Sequence, residues 1–499
     1  MKNKYIYTIV LGLLLIVNYG CSEEFLATEP TSDLTQNQLQ EASENNPEVV
    51  AGSLAGIYTT MFETGTGGTN LDHNDFGQKG YDIFSDMLSG DLALSKNTYN
   101  WYNGIAQLQS TVDFTNNDNY KPWRYYYRII RASNTVIDAL GGNDVVPVND
   151  ENKYLMGQAK GLRAYAYFYL TQFFQNKLNL SEKILPIYTN ASQPNQPKST
   201  AQEVYDLIVS DLNSSITLLE TFNRSAKNEV NKYVAEGLLA YTYGILGNYT
   251  EVKALTSDII NNGGFSIVSR DEASYSYDGD PVGGFDDASN TGWMWGVDIT
   301  LDNGLDLVSW WGQMDYFTYS YHSFGDIKSI DEGLYNQIPA TDVRKGQFYN
   351  NPDSDYYLSP WNKFYYSDRS FRAQRNITSD YVYMRVAEMY LLNAEACANT
   401  GDDAGAITSL RSLLELRLDN TSYLDGLSGQ ALINEVYLQT RIELVAEGKS
   451  YLAMKRNKAT IVRGPNHLSF VGEPISYDDG RLTFEIPQSE VLNNPVLND

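Results

Sequence analysis

Residues 157–174 read GQAKGLRAYAYFYLTQFF, and this stretch decides the fold. Together with the two residues before it, it carries apolar side chains at every third or fourth position, namely Leu155, Ala159, Leu162, Ala166, Tyr169 and Phe173. That period places them on one face of an α-helix. The sequence therefore predicts a long helix whose aromatic face belongs to the scaffold of the protein.

The same period extends outward from this stretch in two blocks. The predicted helices span 49–62, 123–140, 155–174, 200–219, 230–246 and 250–260 in the first block, and 381–399, 402–417 and 427–456 in the second. Thr200 is a suitable N-cap, and Glu203 stands where a capping box requires it. Residues 263–380 lack sustained periodicity, which predicts a loop-rich region with short strands and helices.

Two helix pairs show a weak internal repeat. Ala240 precedes Gly247 by seven residues, and Ala394 precedes Gly401 by seven. Both patterns predict helix, tight turn and helix, with small residues at the crossing, as in tetratricopeptide repeats. Because small residues occur at close helix crossings in any bundle, an ordinary helix hairpin is the alternative interpretation.

Composition narrows the class of protein. The 499 residues include 62 acidic and 36 basic side chains, a formal net charge of −26. Such an excess of negative charge argues against nucleic-acid binding and against docking on an anionic membrane face. The chain has 39 Tyr but 18 Phe, and Tyr is the aromatic residue that tolerates a wet surface. This suits a binding surface for a polar ligand.

The first 20 residues are typical of an export signal. Lys2 and Lys4 precede an apolar run over 6–17, which is too short to span a bilayer. The run ends at Gly20-Cys21, which is similar to a lipoprotein cleavage site and predicts lipidation of Cys21, followed by a tether over 21–47. Asn18 and Tyr19 depart from that motif. A plain secretory signal with a chance cysteine is the alternative.

Several motifs in order resemble the SusD/RagB-like family of outer-surface lipoproteins, from Cys21 to the C-terminus. They are CSEEFL at 21–26, YRII at 127–130, the stretch 157–174, YVYMRVAEMYLLNAEA at 381–396, RIELVAEGKSYLAMKR at 441–456 and IPQSE at 486–490. Lys449 and Ala453 depart from the family pattern at scaffold positions, where Arg or His and Asp are usual.

The resemblance implies a mainly α fold, with a tetratricopeptide-like scaffold of helical pairs and an inserted loop-rich subdomain. We expect a signal peptide at 1–20, the tether, helical regions at 48–262 and 381–499, and a ligand-binding insert at 263–380. The family implies a non-enzymatic, lipid-anchored protein at the outer-membrane surface. It would capture oligosaccharides for a SusC-like TonB-dependent transporter.

Aromatic residues point to the ligand site. Nine aromatics lie within the 32 residues of 293–324. Flat rings can cover the C–H face of a sugar, while amides and carboxylates bind its hydroxyls. In the earlier segment 72–103, Trp101 is flanked by amides. The predicted glycan-binding residues are Trp101, Asn103, Asn100, Asp72, Trp293, Trp295, Trp310, Trp311, Tyr316 and Tyr319. Because neighbours in a strand face opposite ways, at most one of Trp310 and Trp311 is expected to reach ligand.

Other functions have weaker support in the sequence. No HExxH, GxSxG or P-loop motif occurs, and no cofactor is expected. A calcium ion held by Asp278, Asp280, Asp286 and Asp287 is a minor alternative, because oxygen ligands cluster there without the EF-hand spacing. A peptide-capturing protein of the same architecture and a cryptic glycoside hydrolase are the alternative functions.

Overall fold

The structure is a computed structural model that describes residues 47–70, 72–274, 283–364 and 371–499. The predicted lipidation site Cys21, the tether to residue 46 and the pair Asp278 and Asp280 lie outside these residues. Within them, every helix is too short or too polar to traverse a bilayer.

Helices dominate the described residues. The longer ones are α1 (Pro47–Thr60), α2 (Gln78–Leu88), α4 (Asn117–Ala139), α5 (Asp150–Phe174), α6 (Ala201–Leu218), α7 (Lys232–Leu246), α8 (Tyr249–Asn262), α13 (Val386–Asn399), α14 (Asp403–Leu414) and α15 (Gly429–Leu444). The shorter ones are α3 (Asn103–Ala106), α9 (Arg270–Ala273), α10 (Trp310–Met314), α11 (Tyr321–Phe324), α12 (Glu332–Gln337), α16 (Ser450–Arg456) and α17 (Gln488–Asn493). The mainly α prediction is confirmed.

The helices of the two blocks form one continuous stack. Helix α4 packs on α5, α5 on α6, α6 on α7 and α7 on α8; α8 then packs on α13, which contacts α14 and α15. At the junction of the blocks, the Asn393 amide donates a 2.9 Å hydrogen bond to the Thr256 hydroxyl. The two helix pairs are thus neighbours in space, although the loop-rich region separates them in sequence.

Local sequence signals explain where these helices start and stop. Thr200 and Glu203 form the predicted capping box of α6. The turns after α7 and α13 contain Gly247 and Gly401, with φ of 74° and 78°. These left-handed conformations favour glycine, which has no Cβ to clash.

Two predicted helices have different bounds in the structure. Residues 381–385 form a strand, β6 (Tyr381–Arg385), because they pair antiparallel with β4 (Trp293–Val297). The predicted helix 427–456 is interrupted between α15 and α16. At the interruption, Ala446 adopts a φ of 65°, and Glu447 meets the Arg385 guanidinium at 2.7 Å.

The strands occur as two-stranded pairs. Besides β4 with β6, the antiparallel pairs are β1 (Leu92–Lys96) with β5 (Ile327–Ile330), β2 (Lys183–Pro186) with β3 (Lys198–Thr200), and β7 (Thr460–Val462) with β8 (Pro474–Ser476). The pairing of β1 with β5 joins the early segment 72–103 to the loop-rich region. It therefore brings the two predicted parts of the ligand site together.

Charged residues of the family-like motifs are buried and paired. The Glu443 carboxylate contacts Arg417 at 2.9 Å, Arg385 at 3.2 Å and Arg344 at 3.3 Å. Burial alone would raise the pKa of Glu443, but Arg417, Arg385 and Arg344 hold it well below its usual value. Such a carboxylate is a charged structural partner of the three guanidinium groups.

Candidate functional site

Trp101 lies in a partly exposed aromatic cluster. Its ring stacks on His73 with a centroid separation of 5.1 Å and an interplanar angle of 6°. Tyr321 meets it edge-on at 5.8 Å, and Tyr99 meets Tyr321 at 5.4 Å. His73, Tyr99, Trp101 and Tyr321 are named the Trp101 cluster below.

The loop that carries Trp101 is held by one buried carboxylate. Asp326 accepts hydrogen bonds from the backbone N–H groups of Thr98 and Tyr99 at 2.7 Å and of Trp101 at 3.3 Å. Asp326 directly precedes β5, and this loop directly follows β1. Because β1 and β5 pair antiparallel, the carboxylate lies beside the loop.

The same loop contains two unusual backbone conformations. Asn100 and Tyr102 adopt φ values of 71° and 64°, which are rare for residues with a side chain. The Tyr102 ring is buried beneath the loop, 5.4 Å from Phe84. Strained conformations persist where the surrounding contacts over-determine them and often occur at functional sites. Here they leave Asn100 exposed beside the half-buried Trp101.

His73 is oriented from two sides. Its Nδ1 is hydrogen-bonded to the Tyr321 hydroxyl, and its backbone carbonyl accepts a 2.8 Å bond from Gln313. Burial lowers the pKa of His73, an effect that the nearby Asp72 opposes, and burial raises the pKa of Tyr321. At neutral pH the cluster thus presents uncharged rings.

The predicted polar residues of this segment lie around the cluster. Asp72 contacts Lys121 at 3.3 Å. The side-chain oxygens of Asn100 and Asn103 each accept a 3.0 Å bond, from Asn97 and Gln107 respectively. Their amide NH₂ groups can still donate to a ligand.

Tyr316 belongs to a second aromatic group. Tyr316 and Tyr349 stack on opposite faces of Trp361, with centroid separations of 4.0 Å and 3.8 Å. These three residues are named the Trp361 stack below. Because both faces of Trp361 are covered, the stack acts as a wall and not as a platform for a sugar. Trp361 and Tyr349 were missed because they follow the aromatic-rich segment by more than 20 residues.

Helix α11 connects the two aromatic groups. It carries Tyr321, and its Ser323 carbonyl accepts a 2.8 Å bond from the hydroxyl of Tyr356, which meets Tyr316 at 4.6 Å. The predicted residue Tyr319 meets Phe324 of α11 with ring centroids 5.2 Å apart, and the Arg375 guanidinium lies 4.5 Å from the Tyr319 ring. The two groups and the residues between them are named the aromatic surface below.

Four predicted site residues lie in the core instead. Trp293, Trp295, Trp310 and Trp311 are at most 2% exposed. The indole N–H groups of Trp293, Trp295 and Trp311 donate to the backbone carbonyls of Gly284, Asn228 and Ser379. Their faces are packed against other residues, so a glycan cannot stack on them in this structure. The expectation that they contact ligand is corrected.

The burial of these indoles has a simple cause. Trp293 and Trp295 lie on β4, whose partner β6 continues directly into the buried helix α13. Trp295 meets Tyr165 of α5 edge-on at 5.3 Å, and Tyr383 of β6 at 5.3 Å. Trp310 and Trp311 form the start of α10, where the strand rule of alternating faces does not apply. Both are buried.

The described residues show no metal centre. Within the described ranges, no three His, Cys, Asp or Glu side chains gather closely enough to hold a metal ion. Asp287 accepts a 2.7 Å bond from the Ser289 backbone N–H. The calcium alternative involves Asp278 and Asp280, which lie outside the described residues, and stays a prediction.

Two models of known protein families match this chain. A family described as "Starch-binding associating with outer membrane" matches residues 29–243, and the "SusD family" matches residues 314–498. A SusD-like protein of Bacteroides ovatus is 23% identical over 483 residues, which cover 77% of this chain and 85% of that protein.

Solved structures share the fold. The chain is similar to a SusD-like carbohydrate-binding protein of Bacteroides vulgatus, with a TM-score of 0.73 and 22% identity over 90% of this chain and 96% of the other. It is also similar to surface glycan-binding protein A of Bacteroides uniformis, with a TM-score of 0.65 and 18% identity over 91% and 99% of the two chains.

Proposed function

Because the chain belongs to the SusD/RagB-like family, we propose that it is a cell-surface lipoprotein that binds oligosaccharides at its aromatic surface. It delivers them to a SusC-like TonB-dependent transporter of the outer membrane. It is not an enzyme, and Cys21 carries the lipid that anchors it. The observation that carries this proposal is the half-buried Trp101, held in place by His73 and Tyr321.

The geometry of Trp101 suits a sugar ring. One face of the indole is covered by His73, so the other face is the one that a ligand can use. Burying roughly 60 Å² of a sugar face contributes about 1.5 kcal/mol at ~25 cal/mol per Å². The free NH₂ groups of Asn100 and Asn103 are donors for hydroxyl oxygens at the ring edge. One stacked ring gives weak binding, and further contacts along the aromatic surface would add to it.

The aromatic surface offers further contacts beside Trp101. From Trp101 it continues across α11 to Tyr319 and the Trp361 stack. Arg375 lies over Tyr319, and the Arg372 guanidinium lies 4.9 Å from the ring of Phe324. Guanidinium groups donate several hydrogen bonds in one plane and suit hydroxyl pairs. Such an arrangement favours a polymer that makes many weak contacts.

Titration calorimetry with a panel of neutral oligosaccharides tests the proposal. Trp101→Ala is expected to lose about 1–3 kcal/mol of binding free energy, the scale of one aromatic anchor, with an unchanged melting temperature. Tyr423→Ala removes an exposed aromatic that is bonded to Glu435, and is the matched control. Full affinity in Trp101→Ala, or binding of peptides in place of saccharides, would overturn the proposed site.

Two further measurements test whether the protein hydrolyses its ligand and whether it binds a transporter. Saccharides recovered after long incubation should keep their length, since a hydrolase would shorten them. Extraction of the native protein in mild detergent should recover a large outer-membrane transporter with it. Recovery of the lipoprotein alone under several detergents would contradict the delivery step and leave glycan binding intact.

A further inference from the structure

A separate cleft lies on the N-terminal helical part of the molecule. Helix α4, the loop after β2 and the C-terminal helix α17 enclose a cavity of about 970 Å³. Its lining includes no member of the Trp101 cluster or the Trp361 stack. Ligand sites commonly have volumes of about 300–1,000 Å³, so this cleft is large enough for a small oligomer.

Three arginines form a row along this cleft. Arg124, Arg128 and Arg131 follow each other at i, i+4 and i+7 on α4, which places them on one helix face over about 10 Å. All three side chains are exposed. In the part of the chain that the structure describes, none of them lies within 4 Å of a carboxylate. In a chain with a net charge of −26, they place three positive charges along one cleft, and the Arg124 guanidinium lies 5.9 Å from the ring centroid of Tyr120.

The wall behind the arginines is aromatic. Trp123 and Tyr127 meet with ring centroids 4.7 Å apart, and Tyr188 meets Tyr127 edge-on at 6.0 Å. All three line the cleft; Tyr127 and Tyr188 are half-buried there, whereas Trp123 is buried. Ring faces and edges next to guanidinium groups suit a ligand that combines apolar C–H surface with negative charge.

The opposite rim is polar and held in place. The Asn134 amide donates a 3.0 Å bond to the Tyr188 carbonyl, and Asp138 accepts a 2.8 Å bond from the Ala191 N–H. The Gln193 side-chain oxygen accepts a 2.9 Å bond from the Thr189 N–H. These bonds fix the loop against α4, so the cleft exists without a ligand and little ordering is needed on binding.

The charge of the cleft stays positive. Among the described lining residues, Glu490 carries the single carboxylate. Its two oxygens accept bonds from the Trp123 indole at 3.3 Å and the Asn494 amide at 2.9 Å, so protein donors already occupy it. Three guanidinium groups therefore outnumber the two carboxylates at the cleft, Glu490 in its lining and Asp138 at its rim, and both carboxylates accept hydrogen bonds from other groups.

We propose that this cleft is a second saccharide site, which binds an acidic oligosaccharide through its carboxylate or sulfate groups. The row of arginines pairs with successive anionic groups, and the rings of Tyr127 and Tyr188 contact the sugar. Arg recognises both kinds of anion because its planar fork binds two oxygens at once. That the ligand is a saccharide rests on the proposed function; that it is an anion rests on the arginines alone.

Three variants and three polymers test this site. The triple variant combines Arg124→Gln, Arg128→Gln and Arg131→Gln. It is titrated with polygalacturonate, dextran sulfate and neutral dextran, alongside the wild-type protein and Trp101→Ala. The control is Lys153→Gln, Arg270→Gln and Arg411→Gln, which removes the same charge from three surface ion pairs. Polygalacturonate and dextran sulfate distinguish a carboxylate from a sulfate ligand.

The proposal predicts that the wild type binds at least one polyanion. The arginine triple variant should bind it about tenfold or more weakly, and added salt should weaken the binding further. The control and Trp101→Ala should keep that binding. Equal weakening in the control would reduce the effect to net charge and overturn the site. Wild-type protein that binds neither polyanion at low salt would also overturn it. If the triple variant then no longer co-purified with the transporter, the cleft would be a docking site for an acidic protein surface. None of these results depends on the neutral-glycan affinity, which tests the aromatic surface separately.

Discussion

The imidazole of His73 lies almost parallel to the indole of Trp101, with 5.1 Å between ring centroids and 6° between planes. The hydroxyl of Tyr321 is hydrogen-bonded to the same imidazole, and the Tyr321 ring meets the indole edge-on. Two segments that are distant in sequence, 72–103 and helix α11, thus fix one aromatic ring at the surface. A ring that is held in this way loses little conformational freedom when it binds a ligand.

This relationship predicts that His73 supports binding through Trp101. His73→Ala should weaken neutral-glycan affinity by about 0.5–1.5 kcal/mol, because the indole loses its stacking partner. Tyr321→Phe keeps the ring but removes the bond to His73, and should have a smaller effect. Calorimetry on both variants provides the measurement. Unchanged affinity in His73→Ala would show that Trp101 is held by other contacts.

Replacement of a core indole should affect stability and not affinity. Trp295→Phe removes the 2.7 Å bond to the Asn228 carbonyl and leaves a gap beside Tyr165. We expect a loss of about 2 kcal/mol in the free energy of unfolding. Glycan affinity below the unfolding transition should match the wild type. A selective loss of affinity would return Trp295 to the ligand site.

The buried ion network should be essential to the fold. Glu443→Gln leaves the Arg344, Arg385 and Arg417 guanidinium groups without their shared carboxylate, and should cost about 3–5 kcal/mol. Asp425→Asn breaks the surface pair with Arg411 and should cost at most about 1 kcal/mol. Urea unfolding of both variants compares them. Similar small losses would indicate that the network is compensated by water.

A buried lysine beneath the Trp101 cluster predicts a pH dependence. Lys328 donates a 2.7 Å bond to Gln313, and burial lowers its pKa to about 7, against ~10.4 for an unfolded chain. Between about pH 7 and pH 10 the unfolded chain binds more protons than the folded one, so this residue makes stability rise with pH in that window.

Lys328→Met should flatten this rise, while Lys153→Met at the surface should leave it in place. The slope of unfolding free energy against pH is the quantity to compare, since both variants also change the absolute stability. An identical slope in Lys328→Met and the wild type would mean that Lys328 stays protonated in the fold.

Membrane attachment should depend on Cys21, which follows the apolar run of residues 6–17. Cys21→Ala removes the thiol that would carry the lipid, and should release the protein from the membrane fraction. Cys397→Ala changes a thiol that is buried in helix α13, and is the control. Cell fractionation with immunodetection decides between lipid anchoring and a plain secretory signal. Full retention of Cys21→Ala in the membrane fraction would contradict the lipid anchor.

Helical periodicity predicts most of the fold from the sequence, because a repeat of about 3.6 residues is a local property. The stretch 157–174 and the capping box of Thr200 and Glu203 required no knowledge of distant contacts. The strand over Tyr381–Arg385 and the interruption at Ala446 could not be predicted in the same way. Both arise from contacts with distant residues: the strand pairs with β4, and the interruption brings Glu447 to Arg385.

The ligand site, like the fold, could be predicted only in part from the sequence. The sequence by itself determined that aromatics concentrate at 293–324 and that amides flank Trp101. It could not tell a surface indole from a buried one, because both have the same composition and local pattern. Only the tertiary structure decided that Trp293, Trp295, Trp310 and Trp311 are core. It also decided that His73 and Tyr321 meet Trp101, since burial depends on which distant segments cover each ring.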